Sequence, residues 1–425
     1  MIAIDFGTTN SSVAVFADDD TEPRLQKLEY GDPESYDPNV IPSGVCSCRN
    51  TECGKRSSTY GHEALRHHFE LEHDSTLLHE MKLDFDKSTQ DPPSFIEIRQ
   101  GTVLRDEGGF LTPVPATYRY SYYKDVVPLQ PKQFVPGTAR LVEELVRRSS
   151  ITSADRREVA VGVPASFHEL GKSRLREALK RGVFGESAGY EGVFLYPEPL
   201  AAARSYMRIE RGNILVLDYG GGTLDITVMT VVRTDVFDPA KILYDGFPEA
   251  GSRMDDAILH NRLSRSEAAV QRWYESASLR TKLRVKRNVE KAKIALSTKP
   301  EAAIELPGSA FNPIRLTADD VSIALQPILT RMVAKVTETV VKHVGGIDAI
   351  DFVVLSGGTS LNRSVQDSVR ALFQHIPSDR FVLPDADKPE SVEICFCAVA
   401  RGLALLHRDG FAPLALPPPR MTSFS

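Results

Sequence analysis

Residues Ile214 to Asp225 read I-L-V-L-D-Y-G-G-G-T-L-D, and this stretch decides the fold. Four apolar residues in a row are typical of a strand buried in a sheet. The strand is followed by glycines, which let the backbone approach a ligand without a Cβ in the way: Gly220, Gly221 and Gly222. Thr223 adds a hydroxyl, and Asp218 and Asp225 add carboxylates. The stretch predicts a buried strand that ends in a phosphate-sized turn.

The amino terminus repeats this design. Its strand ends at Asp5, its returning strand runs from Ser12 to Phe16, and the turn between them contains Gly7, Thr8, Thr9 and Asn10. Two copies of strand, aspartate, glycine turn and returning strand make an internal repeat. Backbone N–H groups and hydroxyls hold phosphate oxygens, and aspartates hold hydrated Mg²⁺. The pair predicts a Mg-nucleotide gripped from both sides; two ordinary β-hairpins are the alternative.

The composition is that of a globular protein of 425 residues, 42% of them apolar, which is enough for at least two domains. Fifty-one basic and fifty-seven acidic residues give a net charge of −6, so a nucleic-acid partner is not indicated. No apolar run reaches the roughly 18 to 20 residues that span a bilayer. The first strand begins almost at Met1, which leaves no room for a cleavable signal. We therefore expect a cytoplasmic protein without a membrane partner.

Five cysteines are too few for a disulfide scaffold and suit a reducing compartment. Three of them form a cluster upstream of His62 that raises the alternative of a zinc site: Cys46, Cys48 and Cys53. Their spacing lacks the second C-x2-C pair of familiar zinc sites, so reduced thiols in or near a hairpin are the other interpretation. Cys395 and Cys397 fall in an apolar stretch and are predicted to be core residues.

Five segments, spread in order over nearly the whole chain, carry a family resemblance. They are I-D-F-G-T-T-N-S at Ile4–Ser11, V-G-V-P-A-S-F at Val161–Phe167, P-E-P-L-A-A-A at Pro197–Ala203, L-D-Y-G-G-G-T-L-D at Leu217–Asp225 and L-S-G-G-T-S at Leu355–Ser360. Together they resemble the nucleotide-binding domain of heat-shock-70 (DnaK-type) chaperones, in the superfamily of actin and the sugar kinases. The resemblance implies an α/β, two-lobed actin-like ATPase fold, with duplicated mixed sheets, flanking helices and the nucleotide in the central cleft.

The resemblance also implies roles for residues that match the family's motifs. Asp5 and Asp218 would hold hydrated Mg²⁺. Lys82 would reach the terminal phosphate, and Glu198 would position the attacking water. Thr223 belongs to the glycine turn that would hold the phosphates. The plainer alternatives are a solvated surface lysine and a glutamate that merely opens a helix. The implied adenosine contacts are Gly251, Glu290, Lys293, Ile294, Ser297, Gly357, Gly358, Thr359 and Leu361.

Two of these adenosine positions depart from the family pattern. Ile294 and Leu361 stand where the chaperones tend to carry arginines that flank the adenine, so apolar contacts would replace guanidinium stacking. Base affinity and base choice are therefore open, with ATP as the default. By contrast, Glu290, Lys293 and Ser297 match the family, and their spacings of three, four and seven would put them on one helical face.

For the domain organisation we expect a first lobe over residues 1-205, with a small subdomain at about 35-135, and a second lobe over 206-410, with a helical subdomain at about 245-315. A proline-rich tail occupies 411-425, and no residues are left for the family's peptide-binding domain, so a stand-alone nucleotide-binding domain is expected.

The predicted function is a Mg-dependent ATPase that hydrolyses ATP to ADP and phosphate and acts as a nucleotide-driven conformational switch. Its partner would be a protein such as a co-chaperone. Two alternatives stay open: an ATP-dependent enzyme that phosphorylates or activates a small molecule in the same cleft, and an actin-like filament protein.

Overall fold

A computed structural model shows how the chain folds. It describes residues 1–7, 10–17, 20–28, 40–43, 45–48, 59–60, 63–64, 75–78, 85, 96–99, 102–106, 111–113, 131–149, 158–164, 167–185, 192–207, 211–231, 242–247 and 249–414.

The strands of this part of the chain are, in order, β1 (Ile2–Phe6), β2 (Asn10–Val15), β3 (Arg24–Leu25), β4 (Val40–Pro42), β5 (Val45–Cys48), β6 (Thr59–Tyr60), β7 (Ser75–Leu78), β8 (Ile96–Arg99), β9 (Thr102–Asp106), β10 (Leu111–Pro113), β11 (Val159–Val163), β12 (Val193–Pro197), β13 (Gly212–Tyr219), β14 (Leu224–Val231), β15 (Ile242–Phe247), β16 (Glu301–Ile304), β17 (Ile314–Thr317), β18 (Phe352–Ser356) and β19 (Phe381–Val382).

The α-helices in the same residues are α1 (Pro131–Arg148), α2 (Glu169–Phe184), α3 (Glu198–Tyr206), α4 (Gly251–Ser264), α5 (Ala268–Ser276), α6 (Leu279–Ala295), α7 (Ala318–Val344), α8 (Arg363–Leu372) and α9 (Pro389–Arg408). Short 3-10 helices cover Ile347–Ala349, Gly358–Leu361 and Ser378–Arg380.

Two sheets share one topology. In the first, β1 and β2 form an antiparallel hairpin, β3 extends it on the β2 side, and β11 and β12 continue it in parallel on the β1 side, with β4 also paired to β2. In the second, β13 and β14 form the hairpin, β15 extends it, and β18 and β19 continue it in parallel. The predicted duplication and mixed-sheet fold are thus confirmed.

The described residues also form three smaller sheets. Strands β5, β6 and β7 form one of them, β8, β9 and β10 form another, and β16 and β17 pair with each other beside the second sheet's helices. The bounds of the two lobes and their subdomains stay a prediction.

The two large sheets face each other across a shared core. Successive side chains of a strand point to opposite faces, so Ala3 and Ala160 of the first sheet and Ile214 and Val216 of the second face this core, together with α3 and α9. The opposite faces pack in separate cores, against α1 and α2 in the first sheet and against α4, α7 and α8 in the second. The result is a layered arrangement in which α3 and α9 lie between the two sheets.

Helices α3 and α9 cross with their backbones in contact. A Cβ placed on Gly402 would lie 1.7 Å from the carbonyl oxygen and 2.5 Å from the carbonyl carbon of Ala201. A real Cβ does not fit at either distance, so only glycine allows the crossing. Within the described residues, no helix is both long and apolar enough to cross a bilayer.

We expect Gly402→Ala to destabilise the protein by about 2 kcal/mol or more, because the added methyl group must push two backbones apart. Urea unfolding followed by circular dichroism measures the change. Gly246→Ala is the matched control, since a Cβ there meets no atom within 4 Å, and its effect should stay within about 0.5 kcal/mol. Equal stabilities of the two variants would show that the crossing tolerates a side chain.

Candidate functional site

Asp5 and Asp218 lie at matching places in the two sheets. Asp5 follows Ala3 by two residues on β1, and Asp218 follows Val216 by two on β13, so both carboxylates are on the faces that look toward the shared core. Each strand pairs in parallel with a neighbour, and each aspartate is at the carboxyl end of its strand. Sheets that contain parallel strands bind ligands outside those ends.

Glu198 is brought to the same edge of the first sheet. It is the first residue of α3, directly after β12, and its side chain is buried. A Cβ on Gly162 would lie 2.7 Å from Cγ of Glu198 and 2.9 Å from Cγ1 of Val399, so this glycine makes room for both helices. Gly162 follows Val161, the parallel partner of Ile4, and therefore lies beside Asp5. Glu198 thus packs against the strand next to Asp5.

The second glycine turn is held by the start of α4. The N–H of Gly220 donates to the carbonyl of Thr223 at 3.1 Å and closes the turn. The N–H groups of Gly251 and Ser252 donate to the carbonyls of Gly220 at 3.2 Å and Gly221 at 2.7 Å. The first turn of the helix is therefore fastened to the carbonyl side of the glycine turn.

This fastening sets the direction of the turn's amides. A carbonyl and the next N–H belong to one planar trans peptide and point in opposite directions, and none of the described peptide bonds is cis. Because the carbonyls of Gly220 and Gly221 face α4, the N–H groups of Gly221 and Gly222 point away from it. Successive N–H groups with a common direction form an anion-binding concavity.

Gly251 and Gly357 are both required by packing in this region. A Cβ on Gly251 would lie 2.8 Å from Oγ1 of Thr359. Gly357 has a φ of +83°, which disfavours side chains, and a Cβ there would lie 2.7 Å from Oδ1 of Asp218. The end of β18 therefore lies directly beside Asp218.

Helix α9 packs against Gly357 and Gly358, the two residues that follow β18. The Cys395 thiol donates to the carbonyl of Gly357 at 3.2 Å, and a Cβ on Gly358 would lie 2.7 Å from the ring of Phe396. Burial, together with the nearby Asp218 charge, raises the pKa of Cys395 to about 12, so the thiol stays protonated at neutral pH and is no nucleophile. The prediction that Cys395 and Cys397 are core residues is confirmed.

Helix α6, which carries the predicted adenosine contacts, is tied to α4 by buried ion pairs. Nζ of Lys293 lies 2.7 Å from Oδ1 of Asp255 and donates to the carbonyl of Gly251 at 3.3 Å. Nζ of Lys286 lies 2.7 Å from Oδ1 of Asp256. Lys293 therefore touches the residue that holds the glycine turn, which links α6 to that turn.

Burial raises the pKa values of two carboxyl groups around this link. Burial, with the nearby charge of Asp255, raises the pKa of Glu290. Burial also raises the pKa of Asp256 to about 6, although the Lys286 ammonium opposes the shift. Perturbed carboxyls of this kind are enriched at functional sites.

Ser297 lies just beyond the helix that carries the other predicted adenosine contacts, and its role in the site stays a prediction. Helix α6 ends at Ala295, and Ser297 lies in the turn that follows, where its N–H donates to the carbonyl of Ile294 at 3.0 Å. Such i to i+3 bonds are common in the last turn of a helix. Glu290, Lys293 and Ile294 remain on the helix, and Leu361 is buried at the end of the 3-10 helix that begins at Gly358.

Several predicted site residues fall outside the described residues. They are Thr8, Thr9 and Lys82, while Gly7 and Asn10 are described on either side of the first turn. Cys46 and Cys48 lie on β5, but Cys53 and His62 are not described, so the zinc alternative stays a prediction. The described residues contain no group of three His, Cys, Asp or Glu side chains placed to hold a metal ion.

Some contributors to the site were missed by sequence reasoning. Gly162 could have been suspected, because a glycine inside a strand often marks a close approach. Cys395, Asp255 and Asp256 carry no such local signal, since their partners are distant in the chain.

The duplicated sheets, with a carboxylate at the matching edge of each, define a protein of the actin-like α/β fold. A model of the Hsp70 protein family matches residues 128–388, and the chain belongs to this family. It is 32% identical to the chaperone protein DnaK of Thermus thermophilus over an alignment of 272 residues, and the alignment covers 58% of this chain and 41% of DnaK.

A second relative is the heat shock cognate HSP70 protein of Trypanosoma brucei brucei. It is 28% identical over an alignment of 271 residues, and the alignment covers 61% of this chain and 38% of that protein. The chain thus spans about two fifths of the length of these two relatives.

Asp256 gives a test of the link between α4 and α6. Its pKa of about 6 is above the value of about 3.9 in unfolded chains, so its contribution to stability is largest below about pH 4 and is lost as the pH rises through about 6. Asp256→Asn removes this dependence. We expect the free energy of unfolding of the wild type, minus that of the variant, to fall by roughly 1 kcal/mol between pH 5 and pH 7.5.

Urea unfolding at the two pH values measures this difference. Asp367→Asn, a change at an exposed aspartate in the middle of α8, is the control and should show no such fall. A difference for Asp256→Asn that stays constant or rises with pH would contradict the burial-driven shift.

Proposed function

We propose that the protein is a Mg-dependent ATPase that hydrolyses ATP to ADP and phosphate and acts as a nucleotide-driven conformational switch. The observation that carries the proposal is the duplicated unit of strand, inward-facing aspartate and glycine turn, found at the matching edge of both sheets. Membership of the Hsp70 family supports it. The activity of the longer relatives is carried to this chain only as part of this proposal.

The donor set at this edge fits a Mg-nucleotide. Asp5 and Asp218 supply carboxylate oxygens, which Mg²⁺ prefers while it keeps several waters. The N–H groups of Gly221 and Gly222 would bind phosphate oxygens, and Thr223 would add its hydroxyl. Bound Mg²⁺ would offset the negative charge of the phosphates.

The remaining catalytic work is positioning. Glu198 would orient the attacking water, because it is buried at the start of a helix and held against the strand beside Asp5. Lys82 would place an ammonium group at the transferring phosphate. Phosphoryl transfer needs little covalent chemistry from the protein, so orientation and charge stabilisation supply most of the rate.

The same elements explain how a nucleotide could move the lobes. Helix α3 begins with Glu198 and crosses α9, and α9 contacts the turn at Gly357 and Gly358 through Cys395 and Phe396. A ligand that contacts both glycine turns would bind the closed arrangement better than the open one and so shift the population toward it. Domain closure would be the output read by a protein partner.

Two further parts of the proposal are the nucleotide base that is bound and the group that accepts the terminal phosphate. ATP is the default nucleotide, with Ile294 and Leu361 supplying apolar contacts to the base. Water is the proposed acceptor, because one relative is named as a chaperone and the other as a heat shock cognate protein. These names favour the switch over the enzyme for small molecules.

Glu198→Gln tests the catalytic assignment. The amide keeps the shape of the side chain but removes its charge and basicity, so phosphate release from Mg-ATP by the purified protein should fall about 100-fold. Glu169→Gln is the matched control, because Glu169 also opens a helix after a strand but is exposed. Slow release that persists equally in both variants would point to a contaminating ATPase or to another catalytic group.

Asp218→Asn tests the metal assignment. We expect Mg-dependent turnover to fall by about 100-fold or more, since one anionic ligand of the cation is lost. Asp351→Asn is the control at the opposite end of the same sheet, where Asp351 accepts a hydrogen bond from the N–H of Asn213 at 2.8 Å. Normal turnover of Asp218→Asn in a Mg²⁺ titration would rule out the assignment.

A further inference from the structure

We propose that Ser43 and Thr359 are positioning residues that hold the two glycine turns in the orientation that binds phosphate. The inference rests on the proposed function and deepens it. The sequence pattern assigns neither residue to a turn: Ser43 is not among the candidates, and the family resemblance implies an adenosine contact for Thr359. The inference replaces that role, because the Thr359 hydroxyl donates to the carbonyl of Gly220.

In the first sheet, a chain of hydroxyls ends on the glycine turn. Ser43 follows β4, is fully buried, and donates from Oγ to the carbonyl of Gly7 at 2.8 Å. Oγ of Ser11, on β2, lies 2.8 Å from Oγ of Ser43. Because the Ser43 proton is used on Gly7, Ser11 is the donor to Ser43. A hydroxyl that accepts one hydrogen bond donates a stronger one.

In the second sheet, one hydroxyl does the same. Oγ1 of Thr359 donates to the carbonyl of Gly220 at 2.7 Å. Gly220 follows Asp218 by two residues, as Gly7 follows Asp5. The two hydroxyls come from unrelated places, one after an edge strand and one from a 3-10 helix, yet they contact the equivalent carbonyl of the repeated unit.

The hydrogen bond to this carbonyl matters because a peptide next to glycine rotates easily. The peptide that contains the Gly220 carbonyl lies between two glycines, and the one that contains the Gly7 carbonyl has a glycine on one side. A peptide next to glycine meets less steric resistance when its plane rotates, and that rotation reverses the direction of its N–H. A hydroxyl bound to the carbonyl opposes this rotation, because the rotation would break a hydrogen bond at a buried or half-buried site. The N–H is thereby aimed before the ligand arrives, which lowers the cost of binding.

This mechanism acts on phosphate rather than on adenosine. The carbonyls that accept these hydrogen bonds, those of Gly7 and Gly220, belong to the turns that follow Asp5 and Asp218. The base is expected at α6 and Leu361. Loss of a hydroxyl should therefore weaken the binding of a nucleotide that has phosphates and leave adenosine unaffected. A residue that merely stabilises the fold would weaken both ligands together.

The experiment compares the dissociation constants of Mg-ADP and of adenosine, measured by competition with a fluorescent nucleotide. Ser43→Ala and Thr359→Val should each raise the constant for Mg-ADP about 3- to 10-fold and change that for adenosine less than twofold. The matched controls are Ser149→Ala and Thr339→Val, because both residues are buried and donate to carbonyls elsewhere, at Val146 and Lys335.

Conservative variants provide a second test that does not depend on removing Ser43. Ser11→Ala leaves Ser43 in place and should weaken Mg-ADP binding by a smaller factor. Its effect should shrink further when it is combined with Ser43→Ala, because the two hydroxyls act in one chain. Thr359→Ser keeps the donor and should bind Mg-ADP as the wild type does.

The outcomes separate the inference from the function on which it rests. A wild-type protein that binds neither ligand would overturn the nucleotide function and the inference with it. A wild type that binds Mg-ADP, with variants whose ratio of Mg-ADP to adenosine affinity is unchanged, would overturn the inference alone.

Discussion

The contact between Gly402 of α9 and the backbone of Ala201 in α3 is the constraint on which the rest of the structure depends. Both helices fill the space between the two sheets, and their backbones can touch only where a side chain is missing. Small residues of the first sheet that face this core, such as Ala3 and Ala160, also let the helices pack closely. This tight packing places Glu198, at the start of α3, against the strand beside Asp5.

Glycines shape the site, because each leaves space that a side chain would fill. Gly162 admits Glu198, Gly251 admits the hydroxyl of Thr359, and Gly357 admits the carboxylate of Asp218. Each glycine costs conformational entropy on folding. The cost is concentrated at one edge of the two sheets, where backbone and carboxylates must approach each other and a ligand.

Buried charge fixes the helices around this edge. The pairs Lys293–Asp255 and Lys286–Asp256 join α6 to α4 at 2.7 Å each, with all four side chains largely buried. Desolvation offsets most of the attraction in such pairs, so their net contribution to stability is small, but the loss of one partner leaves an uncompensated charge. The pairs therefore link α6 to the helix whose first turn holds the glycine turn.

The sequence by itself determined the duplicated hairpins, the positions of Asp5 and Asp218 at the strand ends, and the family. These follow from alternation, glycine content and motif order, which are properties of neighbouring residues. Only the tertiary structure decided that Ser43 contacts Gly7, that Thr359 contacts Gly220, and that α6 ends before Ser297. Those contacts join residues far apart in the chain or depend on how a helix end is packed, and local pattern carries no information about which distant hydroxyl will reach a given carbonyl.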